Sequence, residues 1–204
     1  ETTAISNNGT LTLNDGKVTG KNIGVYSSNG IINGGIITGV KQEGVKNNGR
    51  WGGTLYVNGG TIKSETKAGI TSVGALTVKG ATIEGTTNGI ELSGTANIVS
   101  GKVTGNNYGV YVNHGQSKVT IGEEGGPPSK EEPEIKGETY GLYSVELSTG
   151  LISFYDGVLK GKTAGYNGSI GKVPDEYYII EKEENEYKVN YLEKQETFVE
   201  VNNV

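Results

Sequence analysis

The stretch Gly9-Thr10-Leu11-Thr12-Leu13-Asn14-Asp15-Gly16-Lys17-Val18-Thr19-Gly20 decides the fold, because Gly53-Thr54-Leu55-Tyr56-Val57-Asn58-Gly59-Gly60-Thr61-Ile62 repeats its pattern. Leu11 and Leu13, like Leu55 and Val57, alternate with polar residues, the mark of a strand with one buried face. The Gly and Asn that follow supply the positive φ angles a tight corner demands. A second short strand, centred on Val18 or Ile62, comes next. The frame extends along the chain. A Gly-apolar pair recurs at Gly24-Val25, Gly44-Val45, Gly69-Ile70, Gly89-Ile90, Gly109-Val110, Gly141-Leu142 and Gly165-Tyr166, in steps of 20, 25, 20, 20, 32 and 24 residues. Six or seven residues before each stands Val18, Ile37, Ile62, Ile83, Val103, Ile135 or Leu159. Five residues earlier again come Leu13, Ile32, Val57, Val78, Ile98 and Phe154, with Ile121 in front of the longest step.

Each repeat therefore holds three strands too short to stand alone. Stacking repeat on repeat solves this, because like residues then form interior ladders and backbones pair between coils at ~4.8 Å. The expected fold class is all-β: a right-handed parallel β-helix of about seven coils of 20–25 residues with a C-terminal β-hairpin cap. Such a rod is roughly 30–35 Å long. The alternative is a meander of hairpins, invited by Asn8-Gly9, Asn29-Gly30, Asn48-Gly49, Asn58-Gly59 and Asn88-Gly89. Matching apolar registers favour the solenoid. Unequal sides favour the right-handed form, although spacing alone does not fix the hand.

The two quoted segments resemble the repeats of bacterial surface and adhesin-like proteins, which are similar to the pectin-lyase-like right-handed parallel β-helix. The resemblance covers residues 4–170. The tail resembles a closing segment found after such repeats in Gram-positive surface proteins. The resemblance implies a secreted or cell-wall location. Through its fold class it also implies an alternative activity, that of a polysaccharide lyase or glycosidase.

Composition excludes several classes. The 204 residues include 35 Gly, poor in helices. Cysteine is absent, which removes disulfides and thiolate chemistry. No run approaches the ~18 apolar residues of a membrane span. With no signal peptide and no initiator Met in the sequence, the expectation is a mature fragment or an excised piece. Residues 1–121 carry 10 basic and 6 acidic side chains, net +4, whereas residues 122–204 carry 8 and 17, net −9. Arg50 is the one arginine, and no Lys/Arg cluster marks a nucleic-acid face.

The frame divides the chain into repeats at 1–173, with an acidic loop insertion at 122–134, and a cap at 174–204. Within the cap, Tyr177–Ile180 and Tyr187–Leu192 read as a hairpin, and Phe198, Val199 and Val201 as one further strand.

Chemistry is sparse. Glycoside hydrolysis takes two carboxylates facing each other at roughly 5–9 Å. Asp15, Asp156 and Asp175 fall in the first coil, the last coil and the cap. Glu43, Glu65, Glu84 and Glu91 read as solvated outward positions. His114, the lone histidine, cannot build a zinc site. Thr19, Thr38 and Thr104 share a register, but Lys63, Glu84, Lys136 and Lys160 interrupt it, which excludes an ice-binding face. No catalytic residue, metal or cofactor is expected.

The aromatics say more. If Val110 and Leu142 point inward, Tyr111 and Tyr143 point outward from successive coils. Tyr26 holds the same position, and Tyr108 and Tyr140 repeat in register at a corner whose direction the sequence does not fix. Such a ladder stacks on sugar rings, or on itself at about 0.2–1 kcal/mol per pair. Arg50-Trp51, in the 25-residue step, is a second contact candidate or an edge plug. The expected function is a non-catalytic extracellular module for attachment, display or spacing. Glycan contact is expected through Tyr108, Tyr111, Tyr140, Tyr143, Arg50 and Trp51. Expected partners are a glycan or a host surface and neighbouring domains, with no nucleic acid and no membrane insertion.

Overall fold

The computed structural model describes residues 2–49, 52–126, 128–129, 131–145 and 151–196. Every regular element among them is a strand. The chain winds through three faces as a right-handed parallel β-helix. On the first face Ile5, Val25, Val45, Ile70, Ile90, Val110, Leu142 and Tyr166 stack as successive parallel partners. On the second face the ladder is Leu13, Ile32, Val57, Val78, Ile98, Ile121 and Phe154. The third carries Val18, Ile37, Ile62, Ile83, Val103, Ile135 and Leu159. Strands Ile5–Leu13 and Val25–Ile32 run unbroken around a corner, so the first two faces join as one 14-stranded sheet, with nine strands in the third. The first face has eight rungs rather than seven, because Ile5 makes a rung without a glycine before it.

Packing explains the glycines. A Cβ on Gly109 would lie 2.6 Å from Ile135 Cγ2 and 2.7 Å from the Gly141 carbonyl oxygen. Only glycine lets the third-face isoleucine press against the first face, and the neighbouring ladder residues Ile83, Val110 and Ile135 are fully buried. Some polar residues that enter the core are fully paired, Asn47 among them. Asn47, 1% exposed, donates to Ser72 Oγ at 2.9 Å and to the Ala75 carbonyl at 3.0 Å.

The C-terminal end is closed. Tyr177–Glu184 and Tyr187–Lys194 form an antiparallel hairpin whose second strand pairs antiparallel with Val158–Gly161, ending the third face. Leu192 seals the last coil, and the Gly165 N–H donates to Asn190 Oδ1 at 3.0 Å. The expected strand at Phe198, Val199 and Val201 lies outside the described residues. The acidic insertion ends at buried Pro133, since Glu134 already begins strand Glu134–Gly137. The Ser129 N–H ties it to Asp156 Oδ1.

The ladder predicts a sharp contrast. Ile83→Ala removes a fully buried rung and should cost about 2–5 kcal/mol. Ile36→Ala, at a position 47% exposed, should stay within about 0.5 kcal/mol. Urea unfolding measures both, and equal costs would contradict the ladder core.

Candidate functional site

The direction that the sequence leaves open at Tyr108 and Tyr140 is outward. Gly109 and Val110 fill the interior, while the Tyr108 and Tyr111 rings lie 5.5 Å apart on one surface. Two columns thus run along the first face. One holds Asn88, Tyr108, Tyr140 and Ala164 on successive rungs. The other holds Tyr26, Lys46, Thr71, Glu91, Tyr111, Tyr143 and Asn167.

Four rings form a zigzag. Tyr111 stacks on Tyr108 at 5.5 Å and 26°, Tyr108 on Tyr143 at 4.6 Å and 13°, and Tyr143 meets Tyr140 at 5.5 Å and 42°. The closest stack is diagonal, since the register pair Tyr111–Tyr143 is 6.0 Å apart. Offset stacks of this kind contribute about 0.5–1.5 kcal/mol per pair beyond area burial. The inner ring faces are occupied by one another. What the half-exposed stack offers a ligand is its ring edges, its hydroxyls and the outer faces of the terminal rings, Tyr111 and Tyr140. Tyr26 stands apart, separated from Tyr111 by Lys46, Thr71 and Glu91, and its hydroxyl accepts from Asn48 Nδ2 at 2.7 Å. Arg50 and Trp51 lie outside the described residues.

Hydrogen-bonding groups border the Tyr111 end. Glu91 is the rung partner of Tyr111, and Asn88 that of Tyr108. Asn113 Nδ2 donates to Glu91 Oε1 at 2.9 Å, and Ser93 Oγ donates to Asn113 Oδ1 at 2.6 Å. Asn88 is 7% exposed, and its Oδ1 has no hydrogen-bond partner. Glu91, Asn113, Ser93 and Asn88 were missed as site residues in the sequence. The available signal was the register that sets Glu91 twenty residues before Tyr111. Glu43 corrects an expectation: it is 8% exposed rather than solvated, and its Oε2 lacks a partner. It immediately precedes Gly44, at the enclosed corner position that Ile23 and Ala68 fill in adjacent coils.

Elsewhere, Asp15 and Asp175 are exposed at opposite ends, and Asp156 accepts the Gly157 N–H at 2.7 Å. His114 Nδ1 accepts the Gln116 N–H at 3.2 Å, as a turn residue does. No group of three or more His, Cys, Asp or Glu among the described residues is placed to hold a metal ion. No helix among them is long and apolar enough to cross a membrane. A groove of about 430 Å³ is lined by Lys63, Glu65, Glu84, Thr86, Thr104 and Asn106 among others, with Lys63 Nζ 2.8 Å from Glu84 Oε2.

Burial raises the Tyr108 phenol above its ordinary 10.0, and the ionisable phenols of Tyr143, Tyr111 and Tyr140 raise it further. With the folded value above the unfolded one, this contribution to stability is complete below pH 10.0 and is lost as pH rises through the raised value. A tyrosinate absorbance titration of the native protein should therefore show a late-titrating tyrosine that disappears in Tyr108→Phe. An unchanged curve in that variant would refute the assignment.

Comparison with known protein families, curated proteins and solved structures gives no match, so the functional reading rests on the geometry of the site itself.

Proposed function

We propose that this chain is a non-catalytic module of an extracellular surface, a stiff rod whose tyrosine stack contacts glycan. The observation that carries the reading is the stack itself. Four half-exposed tyrosines occupy adjoining rungs of an outer face, and none of them belongs to the hydrophobic core. Aromatic surface beside a few convergent polar groups is the composition of small-ligand sites. Tyrosine suits it, with an apolar ring and a hydroxyl that both donates and accepts. The rod supports attachment or spacing, because one continuous interior holds all coils in line.

The test is native affinity electrophoresis through gels containing soluble polysaccharides. A retarding polysaccharide should lose about tenfold or more in affinity with Tyr111→Ala/Tyr143→Ala, which corresponds to about 1.4 kcal/mol. Tyr26→Ala, outside the stack, serves as the control. Equal mobility of wild type and double variant in every gel would reduce the stack to a structural feature.

A second reading, a polysaccharide lyase or glycosidase, draws on one observation: Glu65 and Glu84 line the same groove. Against it, an acid catalyst of that type sits in apolar surroundings, whereas Glu84 is half exposed and paired with Lys63. Release of reducing ends or unsaturated sugars by wild type, abolished in Glu84→Gln, would establish the enzyme.

A further inference from the structure

We infer that Glu91 makes the tyrosine site select uncharged glycans and exclude acidic ones. The inference rests on the glycan reading of the stack and adds the class of sugar. Two independent observations carry it, one of charge and one of hydrogen-bond type.

The first is how the carboxylates are partnered. On the third face they are neutralised by lysines: Glu84 by Lys63 at 2.8 Å, Glu134 by Lys102 at 3.0 Å and Lys160 at 3.3 Å. At a corner, Glu138 meets Lys162 at 2.7 Å. Glu91 has no such partner among the described residues. It is held by the neutral amide of Asn113, itself held by Ser93. An amide orients a carboxylate without cancelling its charge. Lys46, the one lysine in the Glu91 column, is two rungs away. That is roughly 10 Å, about a Debye length in 0.1 M salt. A sugar ring on the open face of Tyr111 rests on the next rung, roughly 5 Å from Glu91. A uronate or sulfate there would meet an uncompensated like charge.

The second observation is the supply of acceptors. Glu91 presents only acceptors, and one of its oxygens is already fixed by Asn113. Asn88 Oδ1, beneath Tyr108, is enclosed and lacks a donor. The terminal torsion of an asparagine is soft, so this oxygen can turn to a donor arriving at the edge of the stack. Sugar hydroxyls supply such donors, whereas ionised carboxylates and sulfates supply none. Both observations favour the same ligand, a chain rich in hydroxyls and free of negative charge.

Native affinity gels decide the matter. The probes are starch, dextran, mixed-linkage β-glucan and hydroxyethyl cellulose, each beside a carboxymethyl derivative of the same chain. Wild type should bind the best neutral polymer about tenfold or more tightly than its carboxymethyl partner. Glu91→Gln, which keeps an acceptor for Asn113 but no charge, should bring the two within about threefold. Glu91→Lys should reverse their order. Equal retardation of wild type by both forms, or an unchanged ratio in Glu91→Gln, would overturn the charge selection while leaving the glycan reading intact. Failure of every polymer to retard wild type would overturn that reading and this inference together.

Discussion

Parallel pairing in register makes each residue the neighbour of its own equivalent one coil away. Everything else in the rod follows from that constraint. Apolar positions become continuous ladders, and the interior needs no other organisation. Polar positions obey the same rule. Asn33 Nδ2 donates to Asn14 Oδ1 and Asn58 Nδ2 to Asn33 Oδ1, each at 2.9 Å, so three coils are laced by one kind of amide. Slipping the pairing by one residue would turn every ladder inside out, which is why the register is so strongly specified. Charged columns have to manage the same repetition. On the third face Lys63 is followed by Glu84 and Lys102 by Glu134, with opposite signs adjacent, whereas Lys136 is followed by Lys160, whose ammonium group reaches Glu134 at 3.3 Å.

Glycine sets the second constraint. At Gly109 the missing side chain is space already filled by Ile135. A Gly-apolar pair directed inward turns the residue after it outward, and at this rung the residue before it, Tyr108, is half-exposed as well. That is how Tyr108 and Tyr111, three apart in sequence, come to share one surface. The outward turn of Tyr111 and Tyr143 is thus set by the core, and Tyr108 and Tyr140 join them from the corner.

The interior ladders are readable from the sequence because alternation, a constant frame and burial all point to the same residues. Tyr111 and Tyr143 are readable for the same reason, since each follows an inward valine or leucine. The hairpin is readable from its two apolar runs and charged turn, where Asn185 and Glu186 adopt φ of 48° and 70°. The order of rings within the stack is not readable, because it depends on how side chains lean: Tyr108 prefers its diagonal neighbour Tyr143 to Tyr140 directly above it. Glu43 defeats the sequence reading for another reason. Glutamate is ordinarily solvated, but the corner before Gly44 encloses whatever residue stands there. Glu91 is seen on its face only once the register lays it beside Tyr111.

A solenoid gives each charge neighbours at fixed spacing, and the choice of neighbour separates a structural carboxylate from an available one. Glu134 illustrates the first kind. Burial works to raise it, but the ammonium groups of Lys102 and Lys160 outweigh that and hold it below its ordinary 4.5. Because the folded value is depressed, its contribution is present above pH 4.5 and is lost as pH falls through the lower folded value. Its charge is consumed in joining three adjacent coils. Glu91 stands on a column where the next rungs are Thr71 and Tyr111, neither of which can neutralise it. The same residue type, on two faces of one rod, is bound into the scaffold in one case and, in the other, left without a cationic partner among the described residues beside an aromatic stack.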